Sequence, residues 1–104
     1  MIRKVVTVTL ALTLALAAAG DAATPGVQIH QFKFLPAQLT VPVGATVTWT
    51  NGDEETHTVT ATDRAYTSTG LEHGEKFAHR FTAPGTYTYF CALHPHMTAT
   101  VVVR

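Results

Sequence analysis

The sequence predicts an all-β protein, a small β-sandwich or barrel of seven to eight strands. Three observations carry that expectation. After the first two dozen residues, apolar positions show no helical period. Short runs rich in Val, Thr, Phe, Tyr and Trp stand in its place. Gly, Pro and Asn break those runs at close intervals.

The chain opens differently. Arg3 and Lys4 give a basic start, and "VVTVTLALTLALAAAG" follows as an apolar run tapering into small residues. That is the layout of a secretory leader. Val5 to Ala19 falls short of the ~20 apolar residues of a spanning helix; an uncleaved anchor is the alternative reading. Residues 1–22 are therefore expected to be a signal peptide, with the cleavage point uncertain by a few residues. Residues 23–104 then form one domain, placed in the periplasm or secreted. No cysteine lies near the leader, so lipid attachment there is excluded.

Strands are expected over Val27–Phe34, Leu39–Val41, Thr46–Thr50, His57–Thr62, Phe77–Phe81, Thr86–Cys91 and Ala99–Val103. The intervening breaks are "LPAQ", "PVG", "NGDEE", "TDRAYTSTGLEHGE" and "APG". The fourth is long enough to hold an edge strand or a helical turn. In the first strand Val27 and Ile29 are odd while Phe32 and Phe34 are even. The buried face must switch near His30 and Gln31, through a bulge or a move between sheets.

A domain of roughly 80 residues buries little core and commonly needs a staple. There is a single cysteine, so no internal disulfide is available. A lone thiol in an oxidising compartment is a hazard unless something protects it. A metal would protect it and staple the fold. Charge excludes another class. Beyond the leader the basic residues are Lys33, Arg64, Lys76, Arg80 and Arg104, with no basic run, so nucleic acid is not a partner.

The stretch "CALHPHM", residues 91 to 97, concentrates the donors. Cys91, His94 and Met97 recur every third residue. Alternation adds a fourth group: His57 shares a face with Val59 and Ala61, and Cys91 with Tyr87 and Tyr89. His57 begins its strand and Cys91 ends its own, so in antiparallel neighbours both lie at one pole, with His57 reaching in from the opposite sheet. One thiolate, two imidazoles and a thioether suit copper or zinc. The thioether decides for copper, because closed zinc sites use Cys, His and carboxylates. Of the two loop histidines the spacing favours His94. Pro95 stiffens the chain after it, whereas His96 directly precedes Met97 and should point away. His96 then lies on the rim, where a titrating imidazole would make docking or potential respond to pH.

These residues resemble the cupredoxins, of the amicyanin-like kind with a short ligand loop. The similarity runs through "FKFLPAQLTVPVGATVTWTN", "HTVT", "FTAPGTYTYFCALHPHM" and "VVV". Plastocyanin-like and azurin-like loops space their ligands differently. The resemblance implies a Greek-key sandwich and one type 1 copper held by His57 and His94 through Nδ1, by the Cys91 thiolate, and by Met97 axially. It implies that Asn51 hydrogen-bonds across to the ligand loop. Phe90, Leu93 and His96 depart from residues common at those positions in amicyanins, which bears on potential and partner. The function implied is single-electron carriage by a monomer, not catalysis, with a redox protein such as a cytochrome c or a dehydrogenase as partner. The alternative is a periplasmic copper carrier or buffer using the same ligands.

Other readings weigh less. An immunoglobulin-like domain would explain Trp49 and "YFC" but needs a second cysteine. A Cys–His hydrolase has little room for a cleft in so short a chain. His30, His73 and His79 read as surface residues, "GDEE" as a solvated loop, and Tyr87 and Tyr89 as core with one hydroxyl tying a corner.

Overall fold

The structure is a computed structural model and describes residues 24–104. The expected leader over 1–22 lies outside the described residues. Eight strands follow in order: β1 (Gly26–His30), β2 (Lys33–Leu35), β3 (Gln38–Val41), β4 (Thr46–Asn51), β5 (Thr60–Ala61), β6 (Lys76–Arg80), β7 (Gly85–Cys91) and β8 (His94–Val103). They form two four-stranded sheets, ordered β2-β1-β4-β6 and β3-β8-β7-β5. There is no helix among the described residues, so the long fourth break holds only bridges and turns. Each sheet contains one parallel pair, β1 with β4 and β3 with β8.

The core lies between the sheets and follows the period of two. In β8 Met97, Ala99, Val101 and Val103 are buried. In β4 Val47, Trp49 and Asn51 are buried. Trp49 is fully enclosed, its ring perpendicular to Tyr89 at 5.4 Å and near Phe77 and Phe81. The break "PVG" works through Gly44, whose φ of 93° suits a residue without a Cβ and whose N–H donates to the Phe81 carbonyl at 2.7 Å. Tyr87 supplies the expected corner tie, donating its hydroxyl to the Ala83 carbonyl at 2.7 Å.

Three expected strands differ from those observed. Ala99–Val103 extends back to His94, so His94 and Met97 lie on β8 rather than in a loop before it. Val27–Phe34 is a hairpin of two strands, β1 and β2, with His30 paired to Lys33. The face switch is a two-residue turn in which both Gln31 (φ 52°) and Phe32 (φ 60°) are left-handed. That is the turn whose twist matches paired strands, but it normally demands Asn or Gly. His57–Thr62 is shortened to Thr60–Ala61, flanked by isolated bridges from His57 to Leu71 and from Thr60 to Thr67. The cause is where the backbone donors go. The N–H of Thr58 is taken by the Cys91 sulfur and that of Val59 by the Ser68 hydroxyl, so neither extends a ladder.

The core also encloses polar atoms. Trp49 Nε1 and the hydroxyls of Tyr66 and Tyr89 are buried without hydrogen-bond partners. Burial pushes the Tyr89 phenol up to about 12; the Trp49 indole offsets part of that rise without completing a hydrogen bond. Because the folded value lies above the ordinary 10.0, the contribution is intact below pH 10 and is lost as pH rises toward 12. Tyr89→Phe is expected to leave stability at pH 7 nearly unchanged. It should remove about 1.4 kcal/mol per pH unit of alkaline destabilisation in that window. Urea titrations of both proteins from pH 9 upward test this; parallel curves would refute it.

Candidate metal centre

The Cys-x2-His spacing acquires a simple geometric meaning. Cys91 and His94 are a paired couple at the end of the β7–β8 hairpin, joined by the two residues Ala92 and Leu93. The pairing then slips, since Phe90 faces Thr98 while Cys91 faces His94. Such a slip redirects side chains locally; Ala92 and Leu93 at the hairpin end stay exposed. Cys91 is fully buried and His94 half-buried.

His57 meets them from the other side. It is fully buried, and its backbone is locked to Leu71 by hydrogen bonds in both directions, 3.1 and 2.7 Å. Expected to reach in from the opposite sheet, it lies instead in the connection between the two sheets, outside both, in an isolated bridge to Leu71. Its segment leaves β4 and crosses into β5, which lies beside β7 in the same sheet as Cys91. Both ends nonetheless share one pole, because β5 and β7 are antiparallel.

The Cys91 Sγ lies 3.7 Å from His57 Nδ1 and 3.7 Å from His94 Nδ1. The three donor atoms lie within 4.8 Å of one another. Using zinc lengths as a guide, a trigonal metal about 2.3 Å from sulfur and about 2.0 Å from nitrogen spaces those two atoms by about 3.7 Å. The site thus fits a metal ion, and a thiolate with two imidazoles suits copper or zinc. Met97 is buried on the core face of β8, whereas His96 is exposed beside it. His94 therefore brings its ring to the thiol and His96 does not.

The surroundings contain residues that the sequence reading passed over. Thr58 donates its N–H to Cys91 Sγ at 3.3 Å, and its Oγ1 accepts from the Ala92 N–H at 2.7 Å. Thr58, not Asn51, is the bridge to the ligand loop. Asn51 instead donates to the carbonyls of Glu55 and Leu71, each at 2.8 Å, and accepts from the Asp53 N–H at 2.9 Å. It braces the loop that delivers His57. Gly52 lets that loop pass close by, since a Cβ there would meet the Ile29 carbonyl at 3.1 Å.

Asp53 corrects the reading of "GDEE" as wholly solvated. Its carboxylate is buried and accepts from Gln31 N–H at 2.7 Å, Phe32 N–H at 2.9 Å and His57 Nε2 at 2.9 Å. Burial works against its charge, but the Phe32 and Gln31 amides and the His57 ring outweigh burial and hold the carboxyl below its usual range. An ionised carboxylate only accepts. The proton of His57 therefore sits on Nε2, leaving Nδ1 free to face the sulfur. The Phe32 ring stands edge-on to both imidazoles, at 4.9 Å from His57 and 4.8 Å from His94. No spacing rule points to Phe32, because it reaches the centre from a different hairpin.

The remaining histidines lie elsewhere. His30 and His73 are exposed, as expected. His79 is not a plain surface residue: it is half-buried and stacked on Tyr66 at 4.1 Å, and burial lowers its pKa.

Two four-stranded sheets with a His–Cys–His cluster at one pole define the class, and the cupredoxin-like domain model matches residues 4–103. The chain belongs to the cupredoxin-like family. Within it the chain is similar to amicyanins, among other cupredoxins. Amicyanin-alpha of Methylorubrum extorquens is 32% identical over 83 residues, covering 75% of this chain and 70% of that protein. The amicyanin of Paracoccus denitrificans is 34% identical over 83 residues, and the match spans 63% of its length. A Cu(I) structure of an amicyanin variant superimposes with a TM-score of 0.74 at 31% identity, covering 83% of this chain and 89% of the other.

Proposed function

We propose that this chain would hold one copper ion through His57 Nδ1, Cys91 Sγ and His94 Nδ1, with the Met97 thioether as a further weak donor, and that it carries single electrons between redox proteins. The observation that carries the reading is the thiol standing 3.7 Å from both Nδ1 atoms. Similarity to amicyanin, a Cu(I) form included, supports copper over zinc.

When bound, copper supplies a one-electron Cu(II)/Cu(I) couple. The chain's part is to keep the donors in one arrangement for both states. His57 and Cys91 are fully buried, so their positions are set by packing rather than by solvent. Asp53 fixes the tautomer of His57, and Thr58 binds both the sulfur and the next amide. The half-buried His94 is the exit, bordered by the exposed Leu93 and Pro95. With the other donors enclosed there is little room for a substrate, which favours carriage over catalysis. The basic, apolar leader supports export, and hence a periplasmic or secreted setting with a cytochrome c or a dehydrogenase as partner.

The test is to mix reduced, copper-loaded protein with oxidised cytochrome c and with a copper chelator. Rapid cytochrome reduction with copper retained is expected. Copper passing to the chelator on the same timescale would make the chain a copper carrier instead.

A further inference from the structure

We infer that Asp53 is a positioning residue that clamps the Gln31–Phe32 turn and so holds the Phe32 ring as a lid over both imidazoles of the metal centre. The inference rests on the copper reading. It adds a device that closes the site against small external ligands.

The turn is poorly matched to its sequence. Gln31 and Phe32 both sit at positive φ, 52° and 60°, where residues with a Cβ are strained, bulky ones most of all. Such a conformation persists only where its surroundings over-determine it. Here the His30–Lys33 pair closes the hairpin on either side, and a single carboxylate binds both amides of the turn. Asp53 Oδ1 accepts from the Gln31 N–H and Oδ2 from the Phe32 N–H, and Oδ2 also meets His57 Nε2. Gln31 itself is exposed, so packing of its side chain does not hold the turn. The same carboxylate thus sets the tautomer of His57 and the place of the ring that packs on His57 and His94.

The Phe32 ring has somewhere else to go. A groove of about 290 Å³ opens beside it, lined by Phe32, Phe34, Leu35, His96 and Met97. If the turn relaxes, the ring is free to swing into that groove, uncovering the edges of the two imidazoles. The centre would then admit small donors from solvent. With the clamp intact, the aromatic edge occupies that approach.

The experiment uses the full-length, copper-loaded protein with F32A, D53N and the double variant D53N/Q31G. Imidazole is titrated into the Cu(II) forms while visible and EPR spectra are followed. The wild-type spectrum is expected to resist imidazole, and F32A to convert to a new species. D53N should behave like F32A and lose about 10–100-fold in copper affinity. Gln31→Gly, which accepts positive φ without strain, should restore part of the D53N defect. Protection of the residue-32 amide against exchange, taken relative to its intrinsic rate and read on the metal-free protein, should fall in D53N and not in F32A. F32A resisting imidazole as the wild type does would overturn the lid. Unchanged Phe32 exchange in D53N would overturn the clamp. Should D53N fail to fold, F32A keeps the carboxylate and still decides the lid. Should the wild type take up no copper, the functional reading fails on its own, and the exchange measurement still decides the clamp.

Discussion

Replacing Cys91 with serine is expected to abolish the intense visible colour of the Cu(II) protein and to remove most of the stability that copper confers. The sulfur is the hub of the site: both imidazole nitrogens and the Thr58 N–H converge on it. A serine hydroxyl does not ionise near neutral pH and is a hard donor, so the soft partner copper prefers is gone. A metal that binds only the folded state stabilises it by about 4 kcal/mol when present at a thousand times its dissociation constant. That increment should vanish in Cys91→Ser, while the metal-free proteins should unfold at similar temperatures because the two side chains are close in size. Visible spectra and thermal melts with and without Cu(II) check both halves. A variant that stays blue, or that gains as much from copper as the wild type, would show that the thiol is not a donor.

Trp49→Ala carries the largest expected cost to the metal-free fold. The indole is fully enclosed and contacts Tyr66, Phe77, Phe81 and Tyr89, rings drawn from both sheets and the long loop. Truncating a buried aromatic costs about 3–5 kcal/mol, through lost transfer energy and the cavity left behind. Small domains have about 5–15 kcal/mol in total. A domain of this size loses roughly 4–8 °C per kcal/mol, so the melting temperature should fall by more than about 12 °C. Copper, absent from the unfolded chain, should recover much of that loss. Calorimetry of apo and loaded forms measures both. A drop of only a few degrees would mean that the rings repack into the space.

Much of the fold was legible because period-two patterning depends only on which residues face inward. Val27 and Ile29, Trp49, Tyr89 and Cys91, Val101 and Val103 all follow it. The pairing of strands was not legible in the same way. Alternation is identical in parallel and antiparallel ladders, so the parallel pairs β1–β4 and β3–β8 leave no mark on it. The Gln31–Phe32 turn was hidden because its conformation comes from Asp53, some twenty residues away, rather than from turn-forming residues of its own. The convergence of Cys91 and His94 was readable because the two close one hairpin, a local relation. His57 was placed at the right pole, but it lies in the crossing between the sheets rather than on the opposite sheet, which is a matter of topology. Thr58, Asp53 and Phe32 act through tertiary contacts, and the sequence carries no spacing that singles them out.

The most direct measurement is anomalous diffraction at the copper edge from crystals of the Cu(II)-loaded protein. One peak per chain is expected, bounded by Sγ of Cys91 and the Nδ1 atoms of His57 and His94. A dominant peak elsewhere, such as at His73 and Glu54, or none within bonding reach of the Cys91 sulfur, would contradict the proposed centre.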